Sequence, residues 1–159
     1  MNQQATGRID GNDLILTRTF RAPIEDVWTS ITKSESTERW FARWEGDAGP
    51  GKTIRWKMVF EKGDAWSDVR IERCEPPRHL AVVSVSDYGA QSLEVTLQQT
   101  GDTTQMTFVH HLPDRKMVGE YGAGWEYYLD NLVAVREGKP LPNFDDYYPS
   151  QKQHFVDQT

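Results

Sequence analysis

The chain has little of what marks disulfide-bonded, secreted or membrane-spanning proteins. It contains a single cysteine, Cys74, so no disulfide can form within the chain. No apolar run approaches the roughly 18 residues that a membrane-spanning helix needs, and the longest is the short stretch at residues 80–83. The first residues also lack a basic segment followed by an apolar one, which is the pattern of a secretory signal. We therefore expect a cytoplasmic protein that does not insert into a membrane.

Positive charge is scarce as well. The 159 residues include 18 Lys and Arg against 24 Asp and Glu, which gives a net charge of −6. The overall field therefore repels the phosphate backbone of nucleic acids and the headgroups of anionic lipids. Nucleic acid is not an expected partner.

Motifs for nucleophilic or metal chemistry are missing too. The G-x-S-x-G pattern around a serine nucleophile does not occur. His110 and His111 are neighbours on a predicted strand and must point to opposite faces, while His79 and His154 have no companions at metal-ligand spacing. We expect neither a metal ion nor a cofactor.

One phosphate-binding motif is present by its letters but not by its context. Residues 46–53, GDAGPGKT, match the pattern G-x-x-x-x-G-K-[ST]. That motif binds phosphate where a strand leads into it and a helix leads out, whereas here a helix end precedes it and an alternating strand follows. Pro50 also removes one of the backbone amides that would contact the phosphate. We interpret this segment as a tight turn.

Tryptophan is what the chain has in excess, with six among its 159 residues. Each indole ring brings a large rigid apolar surface and a single polar group, which suits a hydrophobic core or a ligand cavity equally well. The length is that of one globular domain.

Hydrophobic alternation predicts an antiparallel sheet. Apolar residues recur at every second position over several segments, as a strand with one buried face requires. The turns between these segments are short, which favours antiparallel pairing. For the third segment the pattern leaves open which face points inward. The predicted strands cover residues 13–20, 54–60, 66–74, 79–86, 91–99 and 104–111.

Two short helices are predicted directly after the first strand. Residues 23–31 begin with a proline and carry apolar residues at helical spacing. Thr32 and Glu35 have the spacing of a capping box and predict the start of a second helix that ends near Phe41.

One long helix and a different kind of tail complete the chain. Helical periodicity extends over residues 114–137, with Gly138 as a stop signal. We assign residues 1–138 to a single domain. Residues 139–159 contain three prolines and several aromatic residues, and we interpret them as an extended arm.

Four motifs follow one another in the order of the predicted elements: residues 18–23 (RTFRAP) with 27–28 (VW), 38–41 (ERWF), 75–80 (EPPRHL) and 124–132 (GWEYYLDNL). Together they resemble the START-like, helix-grip superfamily, also called SRPBCC, and within it the branch named after the activator of the heat-shock-protein ATPase. The resemblance spans about residues 13–137. One departure is Gly49-Pro50-Gly51, where many relatives have two glycines.

The resemblance implies an α+β fold in which a curved antiparallel sheet of about six strands wraps around the long C-terminal helix. It also implies a cavity between sheet and helix. Our first hypothesis is a binding protein whose cavity holds a small hydrophobic molecule, such as an apolar or aromatic metabolite or a lipid. The candidate cavity residues are Trp40, Trp56, Met58, Phe60, Phe108, His110, Met117, Tyr121, Trp125 and Tyr128.

Two other functions are compatible with the same sequence. One is a protein-interaction module that modulates a chaperone, as the name of the branch suggests. The other is a cyclase or hydrolase acting inside the cavity, with His110 as general base and Tyr121 or Tyr128 as polarising group. The aromatic residues of the arm further suggest a homodimer.

Overall fold

A computed structural model of the chain describes residues 4–86 and 89–159. It has an α+β fold with one open, curved sheet of eight antiparallel strands in the order β1-β2-β8-β7-β6-β5-β4-β3. The strands are β1 (Arg8–Asp10), β2 (Asp13–Phe20), β3 (Ala42–Glu45), β4 (Thr53–Met58), β5 (Ser67–Glu75), β6 (His79–Ser86), β7 (Gly89–Thr100) and β8 (Thr103–His111).

The expected count of about six strands is too low by two. The six predicted segments are all strands, with small shifts at their ends, and β1 and β3 are additional. These two have only three and four residues, so hydrophobic alternation is too short to be visible in them.

Alternation determines which side chains face the helices. In β8, Thr104, Met106, Phe108 and His110 are buried, whereas the residues between them are not. We call this side of the sheet the inner face. In β5 the inner face carries Val69 and Ile71, which answers the question that the sequence left open.

Two short helices follow β2, as predicted. The first, α1 (Ile24–Thr32), has Pro23 as its N-cap residue, and the second is α2 (Ser34–Thr37). The expected capping box is wrong, because Thr32 is the last residue of α1 and its hydroxyl donates to the carbonyl oxygen of Trp28.

The long helix, α3 (Val118–Glu137), packs against the inner face of the sheet. Its Trp125 ring lies 4.3 Å from Phe108 of β8, measured between ring centroids. The predicted stop is confirmed, since Gly138 adopts the left-handed conformation (φ 67°) that ends a helix without a Cβ penalty.

A polar network fixes α3 to the start of the chain. The Arg18 guanidinium contacts Glu126 at 2.8 Å and Asp130 at 3.0 Å. Glu126, which is 1% exposed, also accepts hydrogen bonds from the backbone N–H groups of Thr6 and Gly7. The buried carboxylate therefore has a countercharge and several donors, which a buried charge requires.

The tail after α3 is not the extended arm that we expected. It contains a 3₁₀ helix (Phe144–Asp146) and a short helix α4 (Lys152–Val156). Tyr147 and Phe155 are 1% and 0% exposed within this single chain. Burial of these two rings removes much of the exposed aromatic surface that had suggested a homodimer.

None of the helices among the described residues has the length and hydrophobicity that a bilayer crossing requires.

Candidate functional site

An apolar cavity of about 150 Å³ lies between the inner face of the sheet and α3. Its walls come from six strands, β3 to β8, and from three helices, α1, α2 and α3. Asp, Glu, Lys, Arg and His do not occur among the lining residues. Six aromatic rings contribute to the wall, those of Trp40, Phe41, Trp44, Trp56, Phe108 and Trp125.

Four of the ten predicted cavity residues line this space. They are Trp40, Trp56, Phe108 and Trp125. The other six, Met58, Phe60, His110, Met117, Tyr121 and Tyr128, lie outside the wall.

Each of these six has a different place. His110 is buried beneath the wall, and Tyr121 packs against its ring. Phe60 and Tyr128 contact each other at 6.5 Å between centroids. Met58 is the last residue of β4. Met117 precedes the first turn of α3 and is 51% exposed.

Sequence reasoning missed two aromatic residues of the wall, Trp44 and Phe41. Phe41 packs among the other rings. Its ring centroid lies 5.1 Å from those of Trp56 and Tyr128 and 5.4 Å from those of Trp40 and Trp125. The sequence pattern placed Phe41 near the end of the second predicted helix, although the residue belongs to the ERWF motif at residues 38–41. That motif was the available signal.

The indole N–H groups of Trp40 and Trp44 are bonded to the protein itself. The indole N–H of Trp40 donates to the Ser30 carbonyl oxygen (3.0 Å), and that of Trp44 donates to the Thr32 carbonyl oxygen (2.8 Å). Both acceptors lie in the last turn of α1, whose carbonyl oxygens have few partners within the helix. The tryptophans therefore present their apolar ring surfaces to the cavity.

His110 is held as a neutral side chain. Its Nδ1 accepts a hydrogen bond from the Trp125 indole N–H (3.1 Å), so its Nε2 carries the proton and donates to Gln91 Oε1 (2.7 Å). Burial lowers the pKa of His110 to about 4, and the neighbouring His111 adds to this effect. Both ring nitrogens are engaged, and this arrangement leaves no lone pair for the general base of a cavity enzyme.

The Tyr128 hydroxyl is also engaged outside the cavity. Its hydroxyl donates to a carboxylate oxygen of Glu61, in the loop between β4 and β5. Burial, with a smaller contribution from Glu61, raises the pKa of Tyr128. The contact attaches this loop to α3.

One residue of the loop between β3 and β4 belongs to the cavity wall. Ala48 is the single lining residue that is exposed, and the others are buried or half-buried. This loop is also the segment with the letters of a phosphate motif, but it joins two strands, and Lys52 forms an ion pair with Asp47 at 2.8 Å. The turn interpretation agrees with this geometry.

No group of three or more His, Cys, Asp or Glu side chains in the described part of the chain is arranged to hold a metal ion.

Comparison with known families agrees with the fold. Residues 21–137 match the family described as activator of Hsp90 ATPase homolog 1-like protein. The chain belongs to this family. The START-like, SRPBCC assignment made from the sequence motifs is thereby confirmed. The family match includes α1 to α3, whereas the tail after Gly138 lies outside it.

Several solved structures share the fold of this member of the activator of Hsp90 ATPase homolog 1-like family. The crystal structure of CalU16 from Micromonospora echinospora is 27% identical, with a TM-score of 0.78 over 92% of this chain and 87% of that one. A protein encoded by gene BPP1335 of Bordetella parapertussis is 22% identical, with a TM-score of 0.80 over 99% and 92%.

DynU16, from the dynemicin biosynthetic locus, is 21% identical with a TM-score of 0.71, and the match covers 85% of this chain but 51% of DynU16. Identities at this level show the shared fold alone. Comparison with curated proteins gave no match.

Proposed function

We propose that this protein binds a small apolar molecule in the cavity between sheet and α3. The observation that carries the proposal is an apolar cavity of about 150 Å³ with six aromatic rings in its wall. Binding energy would come from burying the apolar surface of the ligand against these rings.

The energetic cost of such a cavity supports this proposal. Protein interiors are close-packed, and empty spaces much larger than a water molecule are few. A residual cavity costs about 24 cal/mol per Å³, so this one costs on the order of 3 kcal/mol of folding free energy. A ligand that fills the space restores the missing contacts, and this stabilisation is a reason for the chain to keep the cavity.

A thermal-shift screen with uncharged apolar compounds, from toluene to naphthalene, tests the proposal. A ligand that binds only the folded state raises the melting temperature in a concentration-dependent manner. The emission of the tryptophans in the wall provides a second readout. If no compound changes either signal at concentrations up to its solubility, the proposal fails.

Two variants of one strand show whether binding occurs at the cavity. Val82 of β6 lines the cavity, whereas Val83 follows it on the opposite face of the sheet and is absent from the wall. Val82→Phe fills part of the space, and we expect it to weaken binding at least about tenfold. Val83→Phe is the matched control and keeps wild-type affinity. Equal affinity in the two variants would place the ligand elsewhere.

A further inference from the structure

The composition of the cavity wall also indicates which apolar molecules it accepts. We infer that the buried part of the ligand is uncharged and about the size of one aromatic ring, and that the site rejects fatty acids and other molecules that would bury a carboxylate or phosphate. This inference rests on the proposed function and names the ligand class for the same cavity.

The cavity wall offers no countercharge to an anionic ligand. All lining residues lie in the described part of the chain, and none of them is ionised at neutral pH. Burial raises the pKa of the Cys74 thiol, the most acidic side chain in the wall, so it stays neutral. A carboxylate transferred from water into such a site loses its hydration and gains no ion pair.

Most hydrogen-bond donors in the side chains of the wall already have acceptors within the protein. The N–H groups of Trp40 and Trp44 are bonded to α1, and that of Trp125 is bonded to His110. The hydroxyl groups of Thr32 and Thr37 donate to the backbone carbonyl oxygens of Trp28 and Ser34. None of these five groups can donate to a carboxylate oxygen without breaking its present bond.

The size of the cavity limits the buried part of the ligand to about one ring. The cavity volume of about 150 Å³ lies well below the roughly 300–1,000 Å³ of pockets for drug-sized ligands. An engineered cavity of about this volume in another protein binds benzene. One ring therefore fits, whereas a long acyl chain exceeds the available space.

Calorimetric titration of the full chain with a matched pair, toluene and benzoate, tests the inference at neutral pH. The two compounds share one ring and differ in a methyl group against a carboxylate. We expect toluene to bind and benzoate to bind at least about 100-fold more weakly. Hexadecanoate below its micelle concentration is expected to give no saturable signal.

The outcomes separate the two proposals. If toluene and every other apolar compound fail to bind, the proposed function is wrong. If apolar compounds bind but benzoate or hexadecanoate binds as tightly, the function stands and the inference of charge exclusion is overturned.

A gain-of-charge variant tests the physical cause. Cys74 is half-buried in the cavity wall, so Cys74→Arg places a guanidinium there without burying it deeply. We expect benzoate affinity relative to toluene to rise at least about tenfold, because the carboxylate now has a charged donor. An unchanged ratio in the folded variant would show that lack of a countercharge is not what excludes benzoate.

Discussion

Two adjacent histidines in β8 show how strongly position decides chemistry at the scale of single residues. His110 is on the inner face and 1% exposed, with its nitrogens bonded to Trp125 and Gln91. His111 is on the outer face, where its nitrogens contact Asp13 at 2.7 Å and Glu94 at 2.9 Å. Burial lowers the pKa of His110, whereas the hydrogen bond to Glu94 is the main cause that raises the pKa of His111.

Removing the His110 ring should destabilise the fold even at a pH where the ring is neutral. His110→Leu leaves the Trp125 N–H and Gln91 Oε1 without the partners they have now. An unsatisfied buried polar group costs about 1–3 kcal/mol, and we expect a loss of that size in the free energy of unfolding. Urea denaturation at pH 7.5 measures it, and a loss below about 0.5 kcal/mol would contradict the hydrogen bonding described above.

Strand periodicity was sufficient to place these histidines on opposite faces, but it was not sufficient to name their partners. Asp13 is 98 positions from His111 in sequence, and Gln91 is 19 positions from His110. Such pairs depend on which strands are neighbours and in what register. The prediction of the cavity residues was limited for the same reason. His110 lies on the inner face, as predicted, but it is behind Trp125 and does not line the cavity.

At the scale of elements, α4 docks on α3 through a glycine socket. Phe155 of α4 is fully buried, and a Cβ added at Gly122 of α3 would lie 2.4 Å from its ring. A Cβ at Gly7 would lie 2.7 Å from the same ring. The socket exists because glycine lets the aromatic ring approach the backbone closely.

Gly122→Ala should therefore loosen the tail. The added methyl group displaces the Phe155 ring, and we expect a lower melting temperature together with faster proteolysis of residues 139–159. Gly124→Ala is the matched control, because a Cβ there meets no atom within 4 Å and alanine favours a helix by about 1 kcal/mol over glycine. The two variants should change stability in opposite directions, and a shared stabilisation would rule out the socket.

Elements were predictable where the pattern was long. The six strands of six or more residues and the long helix all have clear periodicity, whereas β1 and β3 are too short to show any. The tail was misassigned because prolines and polar residues dominate its composition, while its burial depends on two rings, Tyr147 and Phe155, that fit surfaces formed by distant residues.

At the scale of the whole molecule, ionisable side chains form a row across the outer face of five strands. Acids and histidines alternate along it, so each imidazole lies between two carboxylates. His79 contacts Glu94 and approaches Glu75 at 3.8 Å. In order, the row is Asp13 (β2), His111 (β8), Glu94 (β7), His79 (β6) and Glu75 (β5).

The inner and outer histidines together should give the folding free energy a maximum near pH 6.5. Below pH 6.5, the ordinary histidine pKa, the His110 side chain becomes protonated in the unfolded chain. In the folded protein it stays neutral until about pH 4, so the free energy of unfolding decreases as the pH falls. The lowered pKa of His110 corresponds to a loss of about 3 kcal/mol in the free energy of unfolding once the pH is below about 4. The raised pKa of His111 acts in the opposite direction: its contribution is complete below pH 6.5 and is lost as pH rises through the folded-state pKa.

Urea denaturation between pH 4.5 and pH 9 tests this expectation with one variant for each slope. His111→Gln cannot gain a proton, so it should flatten the decline above pH 6.5. The acid side should change much less, because His111 is the smaller of the two causes that lower the pKa of His110. His110→Leu should flatten the decline below pH 6.5 and keep the decline above it, although this variant is less stable at every pH. Glu94, whose pKa is lowered chiefly by its hydrogen bond to His111, adds a further loss only below pH 4.5, outside this range. If His111→Gln keeps the alkaline decline, the carboxylates beside His111 do not stabilise its charged form, and the row does not link folding to pH.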